Sequence, residues 1–174
     1  MKINKILYVL LSVALFAGCV KSDDNLNEER VSVGEALPVF TVKGPDGATY
    51  SPSNSVGKVT LICFFNTTCP DCHRELPKIQ YVWEQLESEG QFALACIGRD
   101  RTLAEIAEYW TTGRFTMPYY EDPARSVYEL FATLKIPRLY LADKDGIVRE
   151  IWIEEVSLTQ EQLLAKIKSY TGTP

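Results

Sequence analysis

From Val59 to Phe65 the chain reads Val-Thr-Leu-Ile-Cys-Phe-Phe, an apolar run rich in branched and aromatic residues. That is the pattern of a strand buried on both faces of a sheet, so this segment is predicted to be central. Phe92 to Ile97 reads the same way. Between them, Arg74 to Glu89 sets Leu76, Ile79, Val82, Trp83 and Leu86 at helical spacing, and Gly90 follows as a stop. Further on, Leu103 to Trp110 is helical with Thr102 as N-cap, Pro118 to Tyr120 a short strand, and Ala124 to Phe131 a helix. Leu139 to Ala142 and Ile147 to Ile153 form a hairpin about Asp145-Gly146, and Thr159 to Tyr170 is the closing helix. Upstream, Leu37 to Val42 and Ala48 to Tyr50 are two short strands around Gly44-Pro45-Asp46-Gly47. Strands alternating with helices and ending in a hairpin predict an α/β domain: a central mixed sheet flanked by helices, with an N-terminal strand extension.

The first residues follow another pattern. Lys2 and Lys5 precede an apolar stretch from Ile6 to Ala17, and Ala17-Gly18 are small residues before Cys19. Twelve apolar residues are too few to cross about 30 Å of hydrocarbon as a helix, so residues 1–18 read as a signal peptide. The run Leu15-Phe16-Ala17-Gly18-Cys19 resembles a bacterial lipobox, which implies that Cys19 is lipidated and becomes the mature N-terminus. A plain secretory signal with an incidental cysteine is the alternative. Val20 to Arg30 is polar and acidic without periodicity, which suits a tether over residues 19–34 ahead of a domain over 35–174.

The 174 residues fit one domain plus this appendage, and 46% hydrophobic with 24% charged residues is a globular composition. A net charge of -5 without a Lys/Arg cluster argues against a nucleic-acid partner.

Chemistry concentrates at Cys69-Pro70-Asp71-Cys72, after the predicted central strand and at the start of a helix. A helix N-terminus offers free N–H groups and the positive end of the macrodipole, which favour a thiolate over a thiol. The thiolate is the nucleophile of disulfide exchange. Asp71 works against this by like-charge repulsion. Two intervening residues set the second sulfur one turn behind the first. A structural disulfide is the bland alternative, although a bridge across two residues constrains little chain entropy. Cys63 and Cys96 lie in apolar strands and read as buried inert thiols that neighbouring strands could bring together. His73 reads as a solvent-facing residue of the first helical turn.

The motif after Phe64-Phe65-Asn66-Thr67-Thr68, with Pro77 in the helix and Ile136-Pro137 before a buried strand, resembles the thioredoxin superfamily. Within it the chain is similar to the envelope-anchored TlpA-like and ResA-like reductases, over residues 35–174. The resemblance implies a thioredoxin-like fold, thiol-disulfide oxidoreductase activity and a redox-active Cys69–Cys72 pair. It also implies a cis-proline at Pro137 packed against the pair and a proton-transfer role for Glu75, whose bland alternative is an exposed helix carboxylate. Thr68, Pro70, Asp71, Ile136 and Arg138 are then expected to meet substrate, with Thr68 where the family often has Trp and Arg138 where Thr is common. It implies protein thiols and disulfides as substrates, a transmembrane reductant carrier as electron donor, and no cofactor or metal. The expected location is the cell envelope, lipid-anchored, facing the periplasm or at the outer membrane.

Three other readings compete. Cys69-Pro70-Asp71-Cys72-His73 also fits the haem-attachment pattern C-x-x-C-H, with Met117 as the candidate for a distal ligand. A peroxiredoxin-like peroxidase shares the fold but places Thr or Ser three residues before its cysteine and Pro four before that, where this chain has Asn66 and Ile62. A non-catalytic binding module that keeps the cysteine pair is the third.

Overall fold

The computed structural model describes residues 29–172. The predicted signal peptide, Cys19 and residues 19–28 of the tether lie outside the described residues. The elements, in order, are β1 (Val42–Lys43), β2 (Thr49–Tyr50), β3 (Val59–Phe65), α1 (Pro70–Leu86), β4 (Phe92–Arg99) and α2 (Leu103–Gly113). They continue with β5 (Tyr119–Asp122), α3 (Tyr128–Phe131), β6 (Arg138–Ala142), β7 (Val148–Ile153) and α4 (Gln160–Thr171). They build a seven-stranded sheet in the order β2-β1-β5-β4-β3-β6-β7. β3 pairs in parallel with β4, and β4 with β5, while β6 and β7 close the other side antiparallel.

The continuous apolar run of β3 has the place its pattern predicts. All seven of its residues are buried, and its side chains alternate between two covered faces. Register partners share a face, so Cys63, Cys96 and Leu139 lie on one side and Phe64 and Arg138 on the other. On that second side Phe64 packs against Tyr128, Phe131 and Tyr140 with ring centroids 4.9 to 6.2 Å apart. Thr102 and Thr159 both close capping boxes, with Glu105 and Gln162 as reciprocal partners, which fixes where α2 and α4 begin.

Among the boundaries that differ from expectation, three have a visible cause. The helix predicted from Ala124 is formed only over Tyr128–Phe131, because Arg125 sits at φ 60° and the buried Asp122 carboxylate accepts from the Val127 and Tyr128 N–H groups. The strand predicted over 37–42 shortens to Val42–Lys43. Pro38 has no N–H to offer a ladder, and the Leu37 N–H is spent on the Gly146 carbonyl instead. Residues 29–34, assigned to the tether by composition, are packed on the domain. Glu29 bridges to Ala132, the Arg30 N–H donates to the Phe131 carbonyl at 2.8 Å, and Val31 is buried. No helix among the described residues is long and apolar enough to cross a membrane.

Candidate active site

The chain leaves β3 through Asn66, whose side chain holds the turn from both sides. Its Oδ1 accepts from the Thr68 N–H at 3.0 Å and the Thr68 hydroxyl at 2.9 Å, while its Nδ2 donates to the Arg99 carbonyl of β4 at 2.9 Å. This delivers Cys69 as the N-cap of α1, with Pro70 in the first helical position, where a missing N–H costs nothing. The Cys72 N–H points at Cys69 Sγ, 3.4 Å away, so the sulfur takes the role that a capping oxygen usually plays.

The two sulfurs differ in environment. Cys69 is partly exposed, and its Sγ donates to the Ile136 carbonyl at 3.6 Å. The Ile136–Pro137 peptide bond is cis, as the sequence resemblance implies, and lies beside that contact. Cys72 is fully buried. Burial pushes its thiol far up, and hydrogen bonding with Cys69 adds to the effect. Both are free thiols.

Glu75 is on the buried face of α1, only 3% exposed, and not on the surface as the bland reading has it. Its carboxylate faces Lys78, with Nζ 3.2 Å from Oε1 and 3.0 Å from Oε2, and Oε2 makes no directed hydrogen bond. Lys78 also donates to the Val156 carbonyl at 2.9 Å. Asp71 is tied to Arg74 at 2.6 Å, which draws its charge toward a cation. Thr68 and Pro70 are exposed. His73 faces solvent as expected, yet it is held: Nε2 is 2.8 Å from the Thr67 carbonyl, and the ring stacks on Tyr109 at 5.2 Å.

One sequence expectation changes. Arg138 does not add its charge to a surface groove: it is fully buried, and its guanidinium is bound to the Glu29 carboxylate, the Leu134 carbonyl and the Tyr140 hydroxyl. Cys63 and Cys96 are brought together in register on β3 and β4, where hydrogen bonding with Cys96 and burial push the Cys63 thiol well up. Met117 Sδ is 3.9 Å from Cys96 Sγ, so the interior behind Cys72 is rich in sulfur.

Sequence reasoning passed over Arg101 and Tyr109. Arg101 donates to the Thr67 and Thr68 hydroxyls at 2.9 and 3.1 Å. With Tyr109 and Thr112 these residues line an open cavity of about 310 Å³ next to the cysteine motif. Only an alignment of β3's exit loop against α2 in space could have found them.

Residues 33–151 match the AhpC/TSA family. The chain is 23% identical over 172 residues to a thiol-disulfide oxidoreductase ResA of Bacillus thuringiensis subsp. konkukian, covering 96% of this chain and 99% of the relative. Among solved structures, a candidate protein disulfide isomerase from Bacteroides thetaiotaomicron superposes with TM-score 0.77 at 26% identity, over 82% of this chain and 92% of that one. A thiol:disulfide interchange protein of the thioredoxin family from Chlorobium tepidum gives TM-score 0.69 at 21% identity, over 81% and 99%. The fold is thioredoxin-like.

Alkylation reads the contrast between the sulfurs directly. Thiolates react and thiols do not, so raised Cys63 and Cys72 values predict protection at neutral pH. Iodoacetamide on the reduced native protein should modify Cys69 first, with Cys63 and Cys72 following only after unfolding, as read by peptide mass spectrometry. Comparable native labelling of Cys72 and Cys69 would contradict this assignment of environments.

Proposed function

We propose that this chain, which belongs to the AhpC/TSA family, is a thiol-disulfide oxidoreductase that reduces protein disulfides in a cell envelope. One observation carries the reading: a partly exposed sulfur caps the helix, a fully buried sulfur lies one turn behind it, and a cis-proline loop touches the first.

In the reductive direction the Cys69 thiolate attacks one sulfur of the substrate disulfide. That bond breaks, one substrate sulfur leaves as a thiolate that takes a proton from water, and a mixed disulfide forms. Cys72 then passes its proton to Glu75 and attacks Cys69 Sγ, which closes the Cys69–Cys72 disulfide and expels the second substrate sulfur as a thiolate that takes a proton from water. Two electrons have moved to the substrate, and another envelope thiol protein, by resemblance a transmembrane reductant carrier, returns them. A base is needed because the buried Cys72 thiol holds its proton tightly. The buried Glu75 oxygen without a directed hydrogen bond supports that role. The exposed Thr68 and Pro70, with Asp71 and the backbone at Ile136, are the surface a substrate meets. Strand-edge pairing there favours broad over sequence-specific recognition.

The competing readings find less support. The Cys69-x-x-Cys72-His73 haem pattern would need His73 and Met117 as axial ligands, but the first is committed to Thr67 and the second is buried beside Cys96. The peroxidase pattern would need hydroxyl and proline side chains where Asn66 spans two strands and Ile62 is buried in β3.

Cys72→Ser in the full chain should accumulate mixed disulfides with envelope proteins that vanish on reduction, and Cys69→Ser should trap almost none. Equal trapping by both, or by neither, defeats the assignment. The Cys69–Cys72 couple should have a potential near the about -270 mV of a reducing thioredoxin, whereas one near about -120 mV would make the protein an oxidase.

Glu75→Gln should slow the resolving step and alter its pH dependence while sparing initial attack by Cys69; superimposable pH profiles would remove Glu75 from the mechanism. Lipidation at Cys19 is the remaining part of the proposal. Cys19→Ser should move the protein from the membrane fraction to the soluble one, since acyl chains attached there are what hold it. A variant that stays with the membrane would refute the anchor.

A further inference from the structure

The loop that carries the cis-proline is held by donors along its whole length. The Thr133 carbonyl accepts from Arg125 at 3.0 Å, and the Leu134 carbonyl from Arg138 Nη2 at 3.1 Å and from the Tyr128 hydroxyl. The Lys135 carbonyl accepts from the Tyr128 hydroxyl at 2.8 Å and from Arg138 Nε at 3.5 Å. The Ile136 carbonyl takes the Cys69 thiol, and the Pro137 carbonyl takes the Glu154 N–H at 2.8 Å. Every carbonyl from 133 to 137 is therefore engaged, and Arg138 supplies the bonds to two of them.

A fully buried guanidinium is held only at the cost of its hydration, so it needs a counter-charge and filled donor positions. The counter-charge is Glu29, whose Oε2 pairs with Arg138 Nη1 and whose Oε1 accepts from the Tyr140 hydroxyl at 2.6 Å. Glu29 reaches this point because residues 29–31 run along the chain before the loop. The Arg30 N–H and guanidinium bond to the Phe131 and Glu129 carbonyls at 2.8 and 2.7 Å. Glu29 is 109 residues from Arg138 in sequence, and neither side chain touches a redox sulfur.

We propose that Glu29 and Arg138 are positioning residues for disulfide exchange: the carboxylate holds the guanidinium, the guanidinium holds the Leu134 and Lys135 carbonyls, and these set where Ile136 stands over Cys69. This rests on the thiol-disulfide reading above. A protein substrate that pairs along the loop depends on that placement, whereas a small disulfide that meets only the sulfur does not.

The test compares reduction of insulin with reduction of 5,5′-dithiobis(2-nitrobenzoic acid) by the full chain, with a dithiol as electron source. Glu29→Gln should raise KM for insulin about tenfold while the small disulfide reacts within about twofold of wild type. Glu29→Asp, which keeps the charge, should recover most of the insulin KM. The double variant Glu29→Gln with Arg138→Met leaves no buried ion unpaired, so it should melt close to wild type and still show the raised KM, because the Leu134 and Lys135 carbonyls have lost the guanidinium and share the Tyr128 hydroxyl alone. An unchanged insulin KM in Glu29→Gln overturns the proposal, as does a wild-type KM in the double variant. So does an equal loss on both substrates that follows the melting temperature, which marks a purely structural contact. Wild-type protein inactive on both substrates would instead overturn the redox reading, and this proposal with it.

Discussion

Helix α1 starts on a sulfur. The first N–H groups of any helix lack intrahelical partners and need an acceptor, and here the Cys72 N–H finds one in Cys69 Sγ at 3.4 Å. Much of the site follows from that single bond. The residue that starts the helix is also the one that presents the partly open sulfur, so that sulfur's position is as well defined as the helix end. Asn66 fixes the approach by bonding to Thr68 and across to β4, and the buried run of β3 aims the whole turn at the end of the sheet. Cys72, one turn further, is then carried inside by the same geometry that leaves Cys69 partly open.

The site is supported from both faces of the sheet, by different means. On the side that Cys63 shares, the support is apolar and sulfur-rich, with Cys72, Cys96, Met117 and the Glu75–Lys78 pair. On the side of Phe64 it is aromatic and ionic: Tyr128, Phe131 and Tyr140 surround the Arg138–Glu29 pair. The first arrangement suppresses ionisation of the buried thiols. The second fixes backbone, because its donors end on loop carbonyls. A buried ion pair adds little net stability compared with apolar packing, so geometric definition of the loop is a better account of its presence than strength.

Features written in consecutive residues were legible in the sequence. The central strand over 59–65, the cap at Thr102, and the cysteine motif at a strand-to-helix turn each follow from local spacing or propensity. The cis Ile136–Pro137 bond was reached only through resemblance. What stayed hidden depends on distant partners. Nothing near Arg138 in sequence announces a carboxylate 109 positions away, so by sequence alone its charge belongs where substrate is met. Likewise Glu29 looked like one more acid in a polar stretch. The shortened α3 was missed for a related reason: the Asp122 side chain competes for the N–H groups that an apolar period assigns to a longer helix.

The bond between Glu29 and Arg138 also turns the N-terminal stretch into a ruler. If Cys19 carries the lipid, ten residues separate the bilayer from a point fixed beside the cis-proline loop. Fully extended, they reach at most about 33–36 Å, since a chain spans roughly 3.3–3.6 Å per residue. With that anchor, a leash that ends beside the cis-proline loop and not on the far side of the domain would limit the height of that face and leave the opposite end free to swing outward. Disulfides beyond that height would then be out of range however well they fit, and altering the length between residues 19 and 29 would change which partners are served without touching either cysteine of the pair.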